Sequence, residues 1–242
     1  TVVYAHNDPA DLEAKIVRER PRQGLIVTDA VFSMDGDVAR LPELARISRR
    51  YGLPLMVDDA HATGVLGATG RGSLEHFGLS HQDVAIVMTT LSKAVPSEGG
   101  VICGSRDMCD LVRNTARPFI FTTALSPATA AAAHAGVAYI MAHPELVRRL
   151  RENTARLARN LTALGLPASD ATPIFPIIVG DEEKARRAGE ELLRRGVFIP
   201  CIRYPTVARG AARLRLTVMA GHTDADLDYA AACIAKALRL GR

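Results

Sequence analysis

The chain has 242 residues, of which 48% are hydrophobic and 23% charged, and its formal net charge is +4. This composition excludes a disordered chain. The densest basic groups, Arg148–Arg151 and Lys184–Arg187, lie among acidic residues in segments of helical period, so no nucleic-acid partner is expected. No apolar run reaches the roughly 18 residues of a membrane span.

The first half of the chain alternates predicted helices with short apolar runs. A helix begins near Pro9 and another spans Leu41–Tyr51, and three strands are predicted at Leu25–Thr28, Leu55–Asp58 and Val84–Thr89. These runs lack clean alternation of apolar and polar residues, which favours strands that are buried on both faces. We therefore expect an α/β fold with a mostly parallel sheet between helices.

Further elements are predicted along the second half of the chain. Short apolar runs at Gly100–Cys103 and Phe119–Phe121 precede an alanine-rich helix at Pro127–Met141. The remaining predicted elements are a surface helix at Pro144–Leu164, a strand at Ile174–Val179, a helix at Glu182–Arg195, a strand at Arg213–Val218 and a helix at Thr223–Leu240. We expect a large domain at residues 1–141 and a small α+β domain at 142–242.

Polar clusters follow the three predicted strands of the first half. They are Phe32–Gly36, Asp58–His61 and Thr90–Lys93. Ligands of α/β proteins collect at the carboxyl ends of the strands, so one site is expected there.

Two acidic clusters allow other interpretations. Asp58 and Asp59 could bind a metal, cap a helix or act in catalysis, but a metal site needs more ligands. Asp35 and Asp37 resemble a calcium loop only superficially, because the regular acidic spacing and the distal glutamate are absent. No metal is expected. The four cysteines fit neither a zinc motif nor a disulfide framework, which favours a reducing cytoplasm.

Lys93 has an unusual setting for a lysine, although a solvated charge is the common alternative. Thr89, Thr90 and Ser92 precede it, and a PSEGG segment follows. Hydroxyl groups and backbone N–H groups at strand ends suit a phosphate, and a desolvated lysine can attack an aldehyde. The Ser-x-x-Lys pattern is excluded by Thr90, and Gly67–Ser73 lacks the ending of a Walker loop.

Four motifs carry a resemblance to a known family: VFSMDGD at Val31–Asp37, VDDAHATGVLG at Val57–Gly67, TLSKA at Thr90–Ala94 and ARLRLT at Ala212–Thr217. In order and spacing they resemble the α-oxoamine synthases, which are fold-type I pyridoxal-phosphate enzymes. The resemblance covers nearly the whole chain. Relatives carry a further amino-terminal third, so it also implies that this chain is a fragment, a split subunit or part of a longer protein.

The resemblance assigns roles to individual residues. It implies that Lys93 is the Schiff-base lysine and Cα base, that Asp58 is the partner of the pyridine nitrogen and that His61 binds the phenolic oxygen. The other implied positions are Ser33 and Thr90 at the phosphate, Thr122 and Thr123 at the phosphate of a neighbouring subunit, Arg215 at the amino-acid carboxylate, and Thr206 on the substrate side.

The implied activity is the decarboxylative condensation of an amino acid with an acyl thioester, in a homodimer whose active sites lie at the subunit interface. Another fold-type I activity, an aminotransferase or an aldolase, stays open at this point. So does a partner subunit or fragment without catalytic activity.

Overall fold

A computed structural model describes residues 1–239, which divide into two compact units. The first unit contains residues 1–31 and 38–144, and the second contains residues 32–37 and 145–239. The short segment Phe32–Asp37 therefore belongs to the second unit, although both of its chain neighbours belong to the first. No helix in the described part is long and apolar enough to cross a membrane.

The sheet of the first unit contains β1 (Ile26–Asp29), β2 (Leu55–Asp58), β3 (Ile86–Thr90) and β4 (Gly100–Gly104), in that order. β1, β2 and β3 are parallel, and β4 pairs with β3 in the antiparallel direction. The prediction of a mostly parallel sheet is confirmed. Leu55 and Val57 of β2 are fully buried, as expected for a strand that helices cover.

The helices of the first unit are α1 (Pro9–Glu19), α2 (Leu41–Tyr51), α3 (Ser73–Phe77), α4 (Arg106–Thr115), α5 (Arg117–Ile120) and α6 (Pro127–Ala142). Asp8 caps α1 by accepting hydrogen bonds from the N–H groups of Ala10 and Asp11. The apolar run at Phe119–Phe121 lies in and just after α5, so it forms a helical turn rather than a strand.

The second unit contains α7 (Pro144–Ala163), β5 (Ile174–Gly180), α8 (Glu182–Arg194), β6 (Cys201–Ile202), β7 (Ala212–Thr217) and α9 (Asp224–Ala237). α7 begins at Pro144, the last residue of the first unit. The three strands form an antiparallel sheet in the order β5, β7, β6. Leu157, Leu192, Leu214 and Ile234 are fully buried in its core. The last predicted helix was expected to reach Leu240, which lies outside the described residues.

Hydrogen bonds to backbone carbonyl groups hold the segment Phe32–Asp37 in the second unit. Arg213 Nη1 donates to the carbonyl of Met34 (3.0 Å), and the Thr172 hydroxyl donates to that of Gly36 (2.6 Å). Gly36 has a φ of 72°, and a Cβ atom there would lie 2.4 Å from the carbonyl oxygen of Ile174. Only glycine fits this position, both in backbone conformation and in space.

We expect Gly36→Ala to destabilise the second unit more than Gly165→Ala, which tests this close approach. Both glycines have positive φ, but a Cβ at Gly165 meets nothing within 4 Å. Gly165→Ala should therefore cost about 1 kcal/mol for backbone strain. Gly36→Ala should add roughly 1 to 3 kcal/mol for overpacking. Urea unfolding followed by circular dichroism measures both, and equal losses would contradict the assigned contact.

Candidate active site

Asp58 is the last residue of β2 and begins a turn at the carboxyl end of the strand. Its Oδ1 accepts a hydrogen bond from the N–H of Ala60 (2.9 Å), and the side chain is half-buried. In the sheet register it lies opposite Asp29, the last residue of β1. Two carboxyl groups therefore end adjacent parallel strands.

His61 and Lys93 meet at this edge of the sheet. The Nζ atom of Lys93 lies 3.0 Å from the Nε2 atom of His61, although the two residues are 32 positions apart in the chain. A protonated lysine can only donate, so Nε2 must then be the unprotonated nitrogen of the imidazole ring. The structure thus brings together two of the residues to which the sequence assigned the chemistry.

The hydroxyl groups near Lys93 are linked to one another. Thr90 Oγ1 lies 2.8 Å from Ser92 Oγ and donates to the carbonyl of Gly99. Thr89 Oγ1 donates to Thr63 Oγ1 (2.8 Å), which joins the end of β3 to the turn after β2. Thr90, the last residue of β3, is therefore hydrogen-bonded to both sides of the turn that carries Lys93.

Thr122 and Thr123 lie in the exposed segment between α5 and α6. Within the described residues, no side-chain hydrogen bond joins them to Asp58, His61 or Lys93.

Arg215 of β7 is half-buried in the second unit, and its Nε donates to the carbonyl of Ser33 (2.5 Å). Burial lowers the pKa of this guanidinium, and no carboxylate within residues 1–239 pairs with it. A partly desolvated cation without a counter-ion is suited to an anionic ligand.

Ser33 and Thr206 are the other two residues of the second unit to which the resemblance assigns a role. Ser33 is held through its carbonyl group, as described for Arg215. Thr206 is exposed and follows a cis peptide bond between Tyr204 and Pro205.

Sequence reasoning missed one acidic residue at the end of the sheet, Asp29, and left the role of a second, Asp59, open between metal binding, helix capping and catalysis. Burial, and secondly the negative charge of Asp58, raises the pKa of Asp29. Asp59 is 2% exposed, and burial raises its pKa as well. Asp29 directly follows the apolar run predicted at Leu25–Thr28, so its place at a strand end could have been noticed. The burial of Asp59 has no counterpart in the sequence pattern.

The chain is similar in sequence to a known family and to curated proteins. The profile of the family described as aminotransferase class I and II matches residues 1–234. A putative 8-amino-7-oxononanoate synthase of Desulfovibrio desulfuricans is 68% identical over 238 residues, which are 98% of this chain and 62% of the relative. The 8-amino-7-oxononanoate synthase 1 of Bacillus subtilis is 45% identical over 237 residues, 97% of this chain and 60% of the relative.

Solved structures resemble the chain to a similar extent. A serine palmitoyltransferase of S. paucimobilis, solved with a bound PLP–myriocin aldimine, has a TM-score of 0.92 at 30% identity. The match covers 98% of this chain and 60% of the palmitoyltransferase chain. An 8-amino-7-oxononanoate synthase of Francisella tularensis has a TM-score of 0.80 at 29% identity, and the match covers 93% of this chain and 66% of the synthase chain. The chain therefore spans about 60% of the length of the curated relatives it matches.

We expect Asp58→Asn to lower the pKa of Asp29. Removing a like charge favours the ionised carboxylate, whereas the larger effect of burial stays. A raised pKa in the folded state favours folding at low pH, and this contribution is lost as the pH rises through that pKa. Asp58→Asn should therefore reduce the contribution of Asp29 to the free energy of unfolding at low pH. Carboxyl ¹³C NMR titration measures the shift, and Asp83→Asn is the control. An unchanged pKa in Asp58→Asn would contradict the register at this edge.

Proposed function

Because the chain belongs to the class I and II aminotransferase family, we propose that it is a pyridoxal-phosphate-dependent acyltransferase. Its proposed reaction condenses an amino acid with an acyl thioester, and the product is an α-amino ketone, with loss of carbon dioxide. The names of the relatives support this choice within the family. The observation that carries the proposal is the 3.0 Å approach of Lys93 Nζ to His61 Nε2 beside the end of β2.

The residues present fit pyridoxal phosphate. A primary amine can bind its aldehyde, a carboxylate can pair with its pyridine nitrogen and an imidazole can bind its phenolic oxygen, which are the groups of Lys93, Asp58 and His61. The hydroxyl of Thr90 and that of Ser33 are proposed to bind the phosphate. When bound, the protonated ring of the cofactor withdraws electrons from the Cα atom of an attached amino acid.

Asp58, His61 and Lys93 have distinct proposed tasks. The negative charge of Asp58 keeps a proton on the pyridine nitrogen, because an opposite charge favours the protonated base. His61 orients the cofactor and also contacts Nζ of Lys93. Lys93 is the proposed base that takes the proton from Cα, which requires a neutral amine near the operating pH.

Arg215 is the proposed partner of the amino-acid carboxylate. Its planar guanidinium can donate two parallel hydrogen bonds to a carboxylate, whereas its contact with Ser33 uses only Nε. Burial without a carboxylate partner in the described part of the chain supports an anionic ligand. Thr206 is proposed to contact the substrate.

We expect thiol release from an acyl thioester that depends on both an amino acid and Lys93. The assay would screen amino acids and acyl thioesters and measure carbon dioxide in parallel. It would use the chain alone and the chain fused to the part of the Desulfovibrio relative that it does not span. Lys93→Ala should abolish release, because it removes the cofactor anchor and the proposed base.

Lys184→Ala is the matched control for this assay, since Lys184 is an exposed lysine of α8. Full activity of Lys93→Ala would contradict the proposal. Amino-group transfer without thiol or carbon dioxide release would favour an aminotransferase instead, and aldehyde release without thiol would favour an aldolase.

We expect Arg215→Ala to weaken amino-acid binding by about thirtyfold, or roughly 2 kcal/mol, because it removes a partly desolvated charge partner. Cofactor affinity should change much less. Arg215→Lys should recover part of the loss, since it restores the charge but not the planar fork. Arg187→Ala is the surface control. Equal losses of amino-acid and cofactor affinity, measured by titration, would show that Arg215 has another role.

The proposed assembly is a homodimer with the active site at the subunit interface. Large apolar side chains of residues 111–141 are more than a third exposed, which is unusual for a surface that faces water. They are Leu111, Phe119, Ile120, Phe121, Leu125, Val137, Tyr139 and Met141. Thr122 and Thr123 lie within this stretch, which supports a role for them across an interface.

We expect the chain to sediment as a dimer and Phe121→Asp to sediment as a monomer. A charge at a residue that is 73% exposed costs little in the monomer but is unfavourable in an apolar interface. Phe198→Asp is the control, because Phe198 is similarly exposed in the second unit. A monomeric wild-type chain would overturn the proposed assembly.

A cytoplasmic location is also proposed. Cys103, Cys109, Cys201 and Cys233 are free thiols in the structure. Free thiols persist in reducing compartments, whereas oxidising ones favour disulfides.

A further inference from the structure

Asp59 is a buried carboxyl group to which the proposed reaction gives no task. It follows Asp58 directly, precedes His61 by two residues and is 2% exposed. Burying a carboxylate is costly unless donors replace its water. The contacts of Asp59 therefore show what its burial achieves.

The side chain of Asp59 binds the start of α3. Its Oδ2 accepts a hydrogen bond from the N–H of Ser73 (3.0 Å), and its Oδ1 accepts a short hydrogen bond from the Ser73 hydroxyl. Ser73 is fully buried. A Cβ atom at Gly72, whose φ is 89°, would lie 1.9 Å from Asp59 Oδ2. Both carboxylate oxygens are thus enclosed by the chain at Gly72 and Ser73.

The backbone of Asp59 is fixed as firmly as its side chain. Its N–H donates to the carbonyl of Met88 on β3 (2.7 Å), and its carbonyl accepts from the N–H groups of Ala62 and Thr63 (2.8 Å each). Through these bonds Asp59 joins the end of β2, the strand that precedes Lys93, and the turn that contains His61. Asp58 and His61 consequently lie on either side of one anchored residue.

We propose that Asp59 is a positioning residue, which by binding Ser73 fixes the turn from Asp58 to Thr63 and thereby places Asp58 and His61 against the cofactor. The inference rests on the proposed function. Asp59 touches neither substrate nor cofactor in this role and acts through its neighbours. A comparable part is played by groups that orient metal ligands from outside the ligand shell.

Three substitutions test the inference. Asp59→Ala removes both acceptors. Asp59→Asn can keep both contacts, because its amide oxygen can accept from the Ser73 N–H while its NH₂ group donates to the Ser73 oxygen. Ser73→Ala removes only the hydroxyl donor and keeps the backbone donor, so it still reports on the contact if Asp59→Ala fails to fold.

Asp83 offers a matched control in the same unit. Its Oδ2 accepts both the N–H and the hydroxyl of Ser80 (2.9 and 3.0 Å), the same pair of donors that Asp59 binds. Asp83 lies before β3 and away from the carboxyl end of that strand. Asp83→Ala therefore removes the same kind of contact, together with an exposed ion pair to Arg49, without touching the turn of His61.

Pyridoxal phosphate is the probe, and visible absorbance measures both its affinity and the pH at which the bound form titrates. Asp59→Ala should weaken affinity by roughly tenfold or more and shift that pH, because displaced orienting groups cost one to two orders of magnitude. Ser73→Ala should change both in the same direction by less. The cofactor affinities of Asp59→Asn and Asp83→Ala should stay within about twofold of the wild-type value, a difference of about 0.4 kcal/mol. NMR of the His61 ring without cofactor should show a change in Asp59→Ala, a smaller change in Ser73→Ala, and none in Asp59→Asn or Asp83→Ala.

The outcomes separate the inference from the proposed function. A wild-type chain that binds no pyridoxal phosphate would overturn the proposed function and this inference with it. A wild-type chain that binds the cofactor, with Ser73→Ala and Asp59→Ala unchanged in affinity and titration, would overturn the inference alone. So would an equal loss of affinity in Asp83→Ala, since the effect would then be one of general stability.

Discussion

The parallel pairing of β1, β2 and β3 is the constraint on which the candidate site depends. In parallel strands the carboxyl ends lie at the same edge, so residues that follow each strand meet although the chain separates them widely. Asp29 lies opposite Asp58 in the register, and Lys93 reaches His61 across 32 residues. The antiparallel β4 returns the chain from this edge after the turn that carries Lys93.

Hydrogen bonds to main-chain groups keep the functional segments in place. In the first unit Asp59 binds Ser73 and the end of β3, and so anchors the turn that contains His61. In the second unit Arg213 and Arg215 lie two residues apart on β7, hence on one face, and bind carbonyl groups of the segment Phe32–Asp37. Polar side chains of these motifs therefore support the fold as well as the proposed chemistry.

Much of the architecture was predictable from local pattern. The bounds of β2 and α2 agree with the prediction. Most ends of the other main strands differ from the prediction by one or two residues. The agreement is close because buried apolar runs and glycine stops are local signals. The two-residue β6 leaves no periodicity to recognise, and the apolar run near Phe119 forms a helical turn. The family resemblance, based on four motifs, is confirmed by the profile match and by relatives up to 68% identical.

The contacts that join distant residues were not predictable. The attachment of Phe32–Asp37 to the second unit depends on arginines about 180 residues later, and the burial of Asp59 depends on Ser73. Neither contact can be recognised from residue spacing or from composition. The residue roles came from the motifs, since periodicity shows only that a lysine follows a strand and not what it binds.

Borohydride reduction followed by peptide mapping tests whether Lys93 binds pyridoxal phosphate, because reduction makes the bond between lysine and cofactor permanent. The chain has four lysines, Lys15, Lys93, Lys184 and Lys236, so mass spectrometry can assign the adduct without ambiguity. We expect one pyridoxyl group, attached to the peptide that contains Lys93. An adduct on another lysine, or none after saturation with pyridoxal phosphate, would contradict it.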